Sequence, residues 1–139
     1  MIVASPAYLA AHGEPASPKD LAKHRPIVSG DLRGHHDWNF HRSGRVTTAR
    51  IAPRLGVTGL ASAIDGALAG WGIARVLSYQ VAEHLAEGRL REILKGEDDR
   101  RMPVHLLHAE GGRAAAKTRA FVDLAAERLR ANAGQLAAI

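Results

Sequence analysis

The chain has no cysteine, so disulfide cross-links, thiolate nucleophiles and thiolate metal ligands are all excluded. That absence fits a reducing compartment, and the cytoplasm is the expected location. Aromatic residues are few, with two each of Trp, Tyr and Phe, which leaves core packing to Leu, Ile, Val and Ala. So few rings, none interleaved with basic runs, give poor support for binding of single-stranded nucleic acid. No stretch approaches the length of a membrane helix, and no charged-then-apolar leader opens the sequence. No membrane partner is expected. There is no HExxH and no GxSxG, and each serine reads as a cap or loop residue, so no enzyme is expected. Histidine is plentiful at eight residues, notably His35, His36 and His41, but the clustering fails as a ligand set. On a strand His36 and His41 fall on opposite faces, as do His105 and His108, so neither metal nor cofactor is expected.

Positive charge is present but not concentrated. The net charge of +5 and pI of about 10.2 could suggest nucleic acid, yet the basic residues alternate with apolar ones and form no dense run. A solvated, Arg-rich surface is the expectation, in preference to a DNA-binding face.

The chain is organised around Thr58 to Ala82, TGLASAIDGALAGWGIARVLSYQVA, which reads as helix, turn, buried strand and helix. Thr58 is expected to N-cap a helix whose apolar side carries Leu60, Ile64, Leu68 and Trp71. Gly70 and Gly72 break it, as residues that reach positive φ at low cost. Ile73, Ala74, Val76 and Leu77 form an apolar run suited to a covered strand, and Ser78 caps the next helix, which closes at Gly88. A helix N-terminus beside the end of a buried strand is a place to hold a small anion.

Upstream, Met1–Ala4 reads as a strand, and Ser5-Pro6 and Ser17-Pro18 each open a short helix with a cap followed by proline. Residues 26–29 read as a strand and Gly30–His36 as a polar loop. Trp38–His41 and Val46–Ile51 should pair as a hairpin across Arg42-Ser43-Gly44-Arg45, with Trp38 and Phe40 on one face. Leu55–Val57 is a further strand. Downstream, Arg89–Leu94 is extended, Lys95–Arg101 (KGEDDRR) is an exposed connector, and Pro103–His108 is a strand. A loop at Glu110-Gly111-Gly112 leads to a helix from Ala114 to about Ala133, with Phe121, Leu124, Ala125 and Leu129 apolar and fraying after Gly134. Strands alternating with short helices, plus a hairpin, give an α/β class with a mixed sheet and helices on both faces.

In that order the chain resembles the C-terminal effector-binding domain of LysR-type transcriptional regulators. The resemblance is carried by Val3-Ala4-Ser5-Pro6-Ala7-Tyr8-Leu9, Gly13-Glu14-Pro15, Asp20–His24, Trp38-Asn39-Phe40 and Pro53-Arg54-Leu55. It continues through Ala69–Ala74 (AGWGIA), Gly88-Arg89-Leu90, Pro103–Leu107 and Arg119–Asp123. No single motif is diagnostic; the common order over nearly the whole chain is.

The resemblance implies a fold of the type II periplasmic-binding-protein kind, two lobes with an effector cleft between them. Residues 1–93 would be a nearly complete second lobe, entered through the hinge strand 1–5. Residues 94–102 would cross over, and residues 103–139 would be the last strand and helix of a partial first lobe. The family's winged helix-turn-helix, linker helix and the first half of the first lobe would precede Met1, so DNA would be reached only through a domain absent from this chain. The apolar face of the last helix should then be exposed and masked by a second copy or another chain, making a homodimer or higher oligomer. The implied function is the sensing of a small anionic metabolite, a carboxylate being the expected kind. The alternative is a solute-binding or protein-interaction module unconnected to DNA.

The expected ligand-binding residues are Ser5, Ser29, Gly30, Trp38, Thr58, Gly59 and Gly72. Ser5 follows the hinge strand, Ser29-Gly30 ends a strand, and Thr58-Gly59 begins the central helix, where free N–H groups suit a carboxylate. Trp38 would line the cleft or the lobe core. Gly72 reads better as a turn residue that only positions the others.

Overall fold

The computed structural model describes residues 1–30, 36–100, 103–109 and 115–137, which form two compact units, 1–100 and 101–139. The loops expected at 30–36 and 110–112 fall largely or wholly outside this set. In the first unit the described order is β1 (Ile2–Ala4), α1 (Pro6–His12), a 3-10 helix (Pro18–Lys23) and β2 (Pro26–Ser29), then β3 (His36–Arg42), β4 (Arg45–Ile51) and β5 (Leu55–Val57). It continues with α2 (Leu60–Leu68), β6 (Ile73–Arg75), α3 (Ser78–Ala86) and β7 (Arg91–Ile93).

Five strands form one mixed sheet in the order β5-β2-β6-β1-β7. β5, β2 and β6 run parallel, while β1 is antiparallel to both β6 and β7. The period-2 alternation of these short strands divides the core into two layers. Ile2, Ala4, Val28 and Ile73 face a layer closed by Tyr8, Leu9, Leu21 and the β3–β4 hairpin, which contributes Trp38, Phe40, Ala49 and Ile51. Val3, Ile27 and Ala74 face the other layer, closed by Ala63, Ile64 and Ala67 of α2 and Val81 of α3. The mixed sheet covered on both faces is as expected.

Local signals worked where the chain bonds to its own neighbours. The Ser5 hydroxyl accepts the Tyr8 amide at 3.3 Å, and the Asp20 carboxylate accepts from the Ser17 amide at 3.0 Å and its hydroxyl at 2.8 Å. Ser43 (φ 50°) and Gly44 (φ 76°) make the two-residue turn of the hairpin, whose register runs from His36–Ile51 to Arg42–Arg45.

Several expectations shift. The N-cap of α2 is Gly59, not Thr58, which stands exposed one residue earlier and makes no capping bond. The N-cap of α3 is Leu77, so Ser78 is already helical and Leu77 is not in the strand. α2 ends at Leu68, so the helical spacing that put Trp71 on its apolar face no longer applies there, and Trp71 is 62% exposed. Gly70 does take positive φ (76°), but the need for glycine at Gly72 is steric: a Cβ there would stand 1.9 Å from the Arg25 carbonyl oxygen. That same oxygen accepts the Ile73 amide at 2.9 Å, so β2 and β6 are in contact where Gly72 passes.

The charged run after β7 is tied to the hairpin. Asp98 accepts from Arg75 at 2.6 Å, from Arg100 Nε at 3.0 Å and from the His41 amide at 3.4 Å. Asp99 accepts the Ser43 amide at 2.9 Å, and Glu97 pairs with Arg42 at 2.7 Å. Arg75 also lies 5.4 Å from the centre of the Phe40 ring. These contacts fasten the hairpin, through residues 97–100, to β6. The hydrogen bonds from Arg100, and after them the backbone amides of Arg100 and His41, hold the Asp98 carboxyl down at about 2.

In the second unit, residues 103–108 form no strand, because a strand needs a ladder partner and none of the described residues supplies one. Helix α4 spans Ala116–Ala137, so the helix passes Gly134 without ending. Its expected apolar face is open: Phe121 is 69% and Leu124 53% exposed.

Two measurements check this account. Gly72→Ala should lower the unfolding free energy by about 2–3 kcal/mol in chemical denaturation, since main-chain atoms at the β2–β6 contact must move apart. A loss below about 0.5 kcal/mol would show that the contact is loose. Asp98 has a folded value of about 2 against 3.8 in the unfolded chain, so its contribution is present above pH ~3.8 and disappears as pH falls through ~2. Thermal unfolding between pH 5 and 2 should show Asp98→Asn less stable than the parent at pH 5 by about 1–2 kcal/mol, converging with it near pH 2.

Candidate functional site

Parallel strands place their C-terminal ends together, and the crevice outside those ends is where sheets of this kind bind ligands. Here β5, β2 and β6 end on one edge. Ser29 pairs with Val57, and the Gly30 amide donates to the Val57 carbonyl at 3.0 Å, so the chain leaving β2 lies directly beside the chain leaving β5. Gly30 holds φ at 101°, a conformation that favours glycine and turns the chain at this edge.

Two residues after β5 the chain enters α2 through Gly59, and two residues after β6 it enters α3 through Leu77. Both helices therefore present their N-termini to the same edge. Among the described residues no side-chain cap occupies the start of α2, so within that set its first amides are available to an acceptor from outside the helix. At α3 the Gln80 side chain accepts the Leu77 amide at 3.4 Å, a partial cap. Amides and helix dipoles converging on one edge favour a negatively charged group there.

Of the expected residues, Ser29, Gly30, Thr58 and Gly59 are brought together by the β2–β5 pairing. By alternation along β2, Ser29 shares the side of Ile27, against which α2 packs. Ser5 is not part of this group. β1 runs against β6, so Ser5 ends it at the opposite edge, where its hydroxyl caps α1 and lies 3.6 Å from where a Gly70 Cβ would be. Trp38 is buried in the layer beneath the hairpin, packed with Phe40 and Ile51, and is core. Gly72 is likewise buried at the β2–β6 contact on the Ser5 edge. The second helix N-terminus, expected with Ser78 as its cap, begins one residue earlier, at Leu77.

Among the described residues no group of three or more His, Asp or Glu side chains could hold a metal ion. Among the same residues no helix is long and apolar enough to cross a membrane.

Comparison with known proteins now bears on the architecture. The family model of the LysR substrate binding domain matches residues 1–130. A putative transcriptional regulator of Pseudomonas aeruginosa is 40% identical over 98 residues, covering 68% of this chain and 31% of its own length. An HTH-type transcriptional regulator of Xanthomonas campestris is 28% identical over 142 residues, covering 99% of this chain and 41% of its own. This chain thus spans between about a third and two-fifths of those two relatives. Among solved structures, the regulatory domain of CrgA, a LysR-type transcriptional regulator from Neisseria meningitidis, superposes with a TM-score of 0.72 at 26% identity, over 92% of this chain and 63% of that one. The layered mixed sheet, its order of elements and the match over residues 1–130 agree: the chain belongs to the LysR substrate-binding domain family.

Proposed function

We propose that this chain is the ligand-sensing part of a LysR-type transcriptional regulator, and that a small anionic metabolite binds at the edge formed by Ser29, Gly30, Thr58 and Gly59. The observation that supports this most is the convergence of uncapped α2 amides with the ends of β2 and β5. A carboxylate is the simplest partner for such an edge: it accepts from the free N–H groups and from the Ser29 and Thr58 hydroxyls. Among the described residues this arrangement holds no nucleophile beside a base, and binding rather than catalysis is the proposed role.

In this reading residues 1–93 are the second lobe of the domain, residues 94–102 cross over, and residues 103–139 belong to the first lobe. Ligand closure across the lobes would shift the position of DNA-binding domains carried outside this chain, in the cytoplasm. The open Phe121–Leu124 face of α4 favours a homodimer or higher oligomer, because exposed apolar surface of that kind marks sites of association. A solute-binding or interaction module unconnected to DNA is the weaker reading, since the matched relatives are transcriptional regulators.

A thermal-shift panel of small mono- and dicarboxylates tests the site. A binding carboxylate at about 100 times its Kd should raise the melting temperature by about 5–10 °C. Ser29→Ala and Thr58→Ala should each cut the rise by half or more. No rise with any carboxylate, or a rise intact in both variants, contradicts the proposed site.

A further inference from the structure

A cavity of about 500 Å³ opens at the other edge of the parallel strands, where β2 and β5 begin. Its floor is apolar, made by the neighbours Ile27 and Leu55. Around that floor stand Lys23, Arg25 and Arg54, with His12 and His24, and among the described residues no carboxylate lines it. Lys23 meets Asp20 only at 3.8 Å and in the open, a pair that contributes little. Arg25 and Arg54 have no side-chain partner among the described residues. Three permanent cations around one apolar floor are unfavourable when empty and favour a group with more than one negative charge.

The remaining wall is Trp71, one of only two tryptophans, and it is 62% exposed. Its main chain is fixed, since its amide donates to the Gly66 carbonyl at 3.0 Å and Gly72 beside it is buried against Arg25. The ring thus projects from a fixed main chain at the cavity with most of its surface uncovered, free to stack on a planar partner. The back of the site is also ordered. Tyr8 Oη accepts the Arg25 amide at 2.9 Å and pairs with His24 Nδ1 at 3.2 Å, and its ring stacks on His12 with centroids 4.3 Å apart. Burial, and then the neighbouring His12, lower the pKa of His24. A bound anion would oppose that effect.

We infer that this cavity is a second ligand site for a small phosphorylated ring compound of the mononucleotide class, with the phosphate among Lys23, Arg25 and Arg54 and the ring against Trp71. The cations need a multiply charged group, and the exposed indole needs a flat apolar one; a mononucleotide joins the two over the length of one cavity. The site is at the opposite end of β2 from Ser29, so its occupant does not compete with a ligand at the Ser29–Thr58 edge.

Fluorescence titration tests it directly, because Trp38 is only 8% exposed and quenching by a solute reports on Trp71. Adenosine monophosphate should quench saturably, while adenosine and inorganic phosphate should each bind at least about tenfold more weakly. Arg54→Glu should weaken adenosine monophosphate about tenfold or more, as should Lys23→Glu; both side chains are exposed, and each variant covers the other if one fails to fold. Ser29→Ala should leave the titration unchanged. Absence of saturable quenching, equal binding of phosphate and nucleotide, saturation that survives both charge reversals, or loss of binding in Ser29→Ala overturns the inference.

Discussion

Everything in the first unit depends on how closely β2 and β6 approach at the Arg25 carbonyl. That oxygen accepts the Ile73 amide at 2.9 Å, and only a residue without a side chain fits at Gly72 beside it. The contact sets the parallel register Pro26–Ile73 and Ile27–Ala74, and β6 in turn is the template on which β1 pairs antiparallel. Fixing that register decides which residues end up on which edge. Ser29 and the helix N-termini at Gly59 and Leu77 go to one edge, and Ser5, Arg25 and Trp71 to the other. A glycine turn that reads locally as a helix stop is thus the device that separates two surfaces.

The second constraint is electrostatic. The hairpin β3–β4 contributes Trp38 and Phe40 to the core but is hydrogen-bonded as a sheet only to itself. Glu97 and Asp99 grip it at Arg42 and Ser43, and Asp98 ties the same run to Arg75 of β6. Removing that clasp would leave the hairpin attached by packing and by the Arg75 hydrogen bond to the Asn39 carbonyl at 3.1 Å, with the Arg75 guanidinium, partly withdrawn from water, facing no acid.

Much of this was legible in the sequence, and the divide follows the range of the interaction. Caps that bond within three residues, at Ser5 and Ser17, and the Ser43-Gly44 turn were readable because their physics is local. The layer alternation of Trp38 and Phe40 was readable for the same reason. Thr58 and Ser78 were displaced by one residue as caps, because the preceding strands, not the hydroxyls, set where each helix begins. Residues 103–108 carry a strand-like pattern, but a ladder requires a partner that pattern cannot specify. The acidic run after Lys95 looked like a solvated connector, and only the fold brings it to the arginines of the hairpin and β6. The grouping of Ser29 with Thr58, and the exclusion of Ser5, depended on strand direction, which no local signal encodes.

The central claim is that the β2–β5 edge and the start of α2 receive a small anion. Amide chemical-shift mapping by two-dimensional NMR, with a carboxylate that raises the melting temperature, tests it most directly. The account predicts that the largest shifts fall on Gly30, Thr58, Gly59, Leu60 and Ala61, with the Ser5 and Arg25 amides little affected. Shifts centred on Ser5, Arg25 or Trp71, with the start of α2 silent, would contradict it.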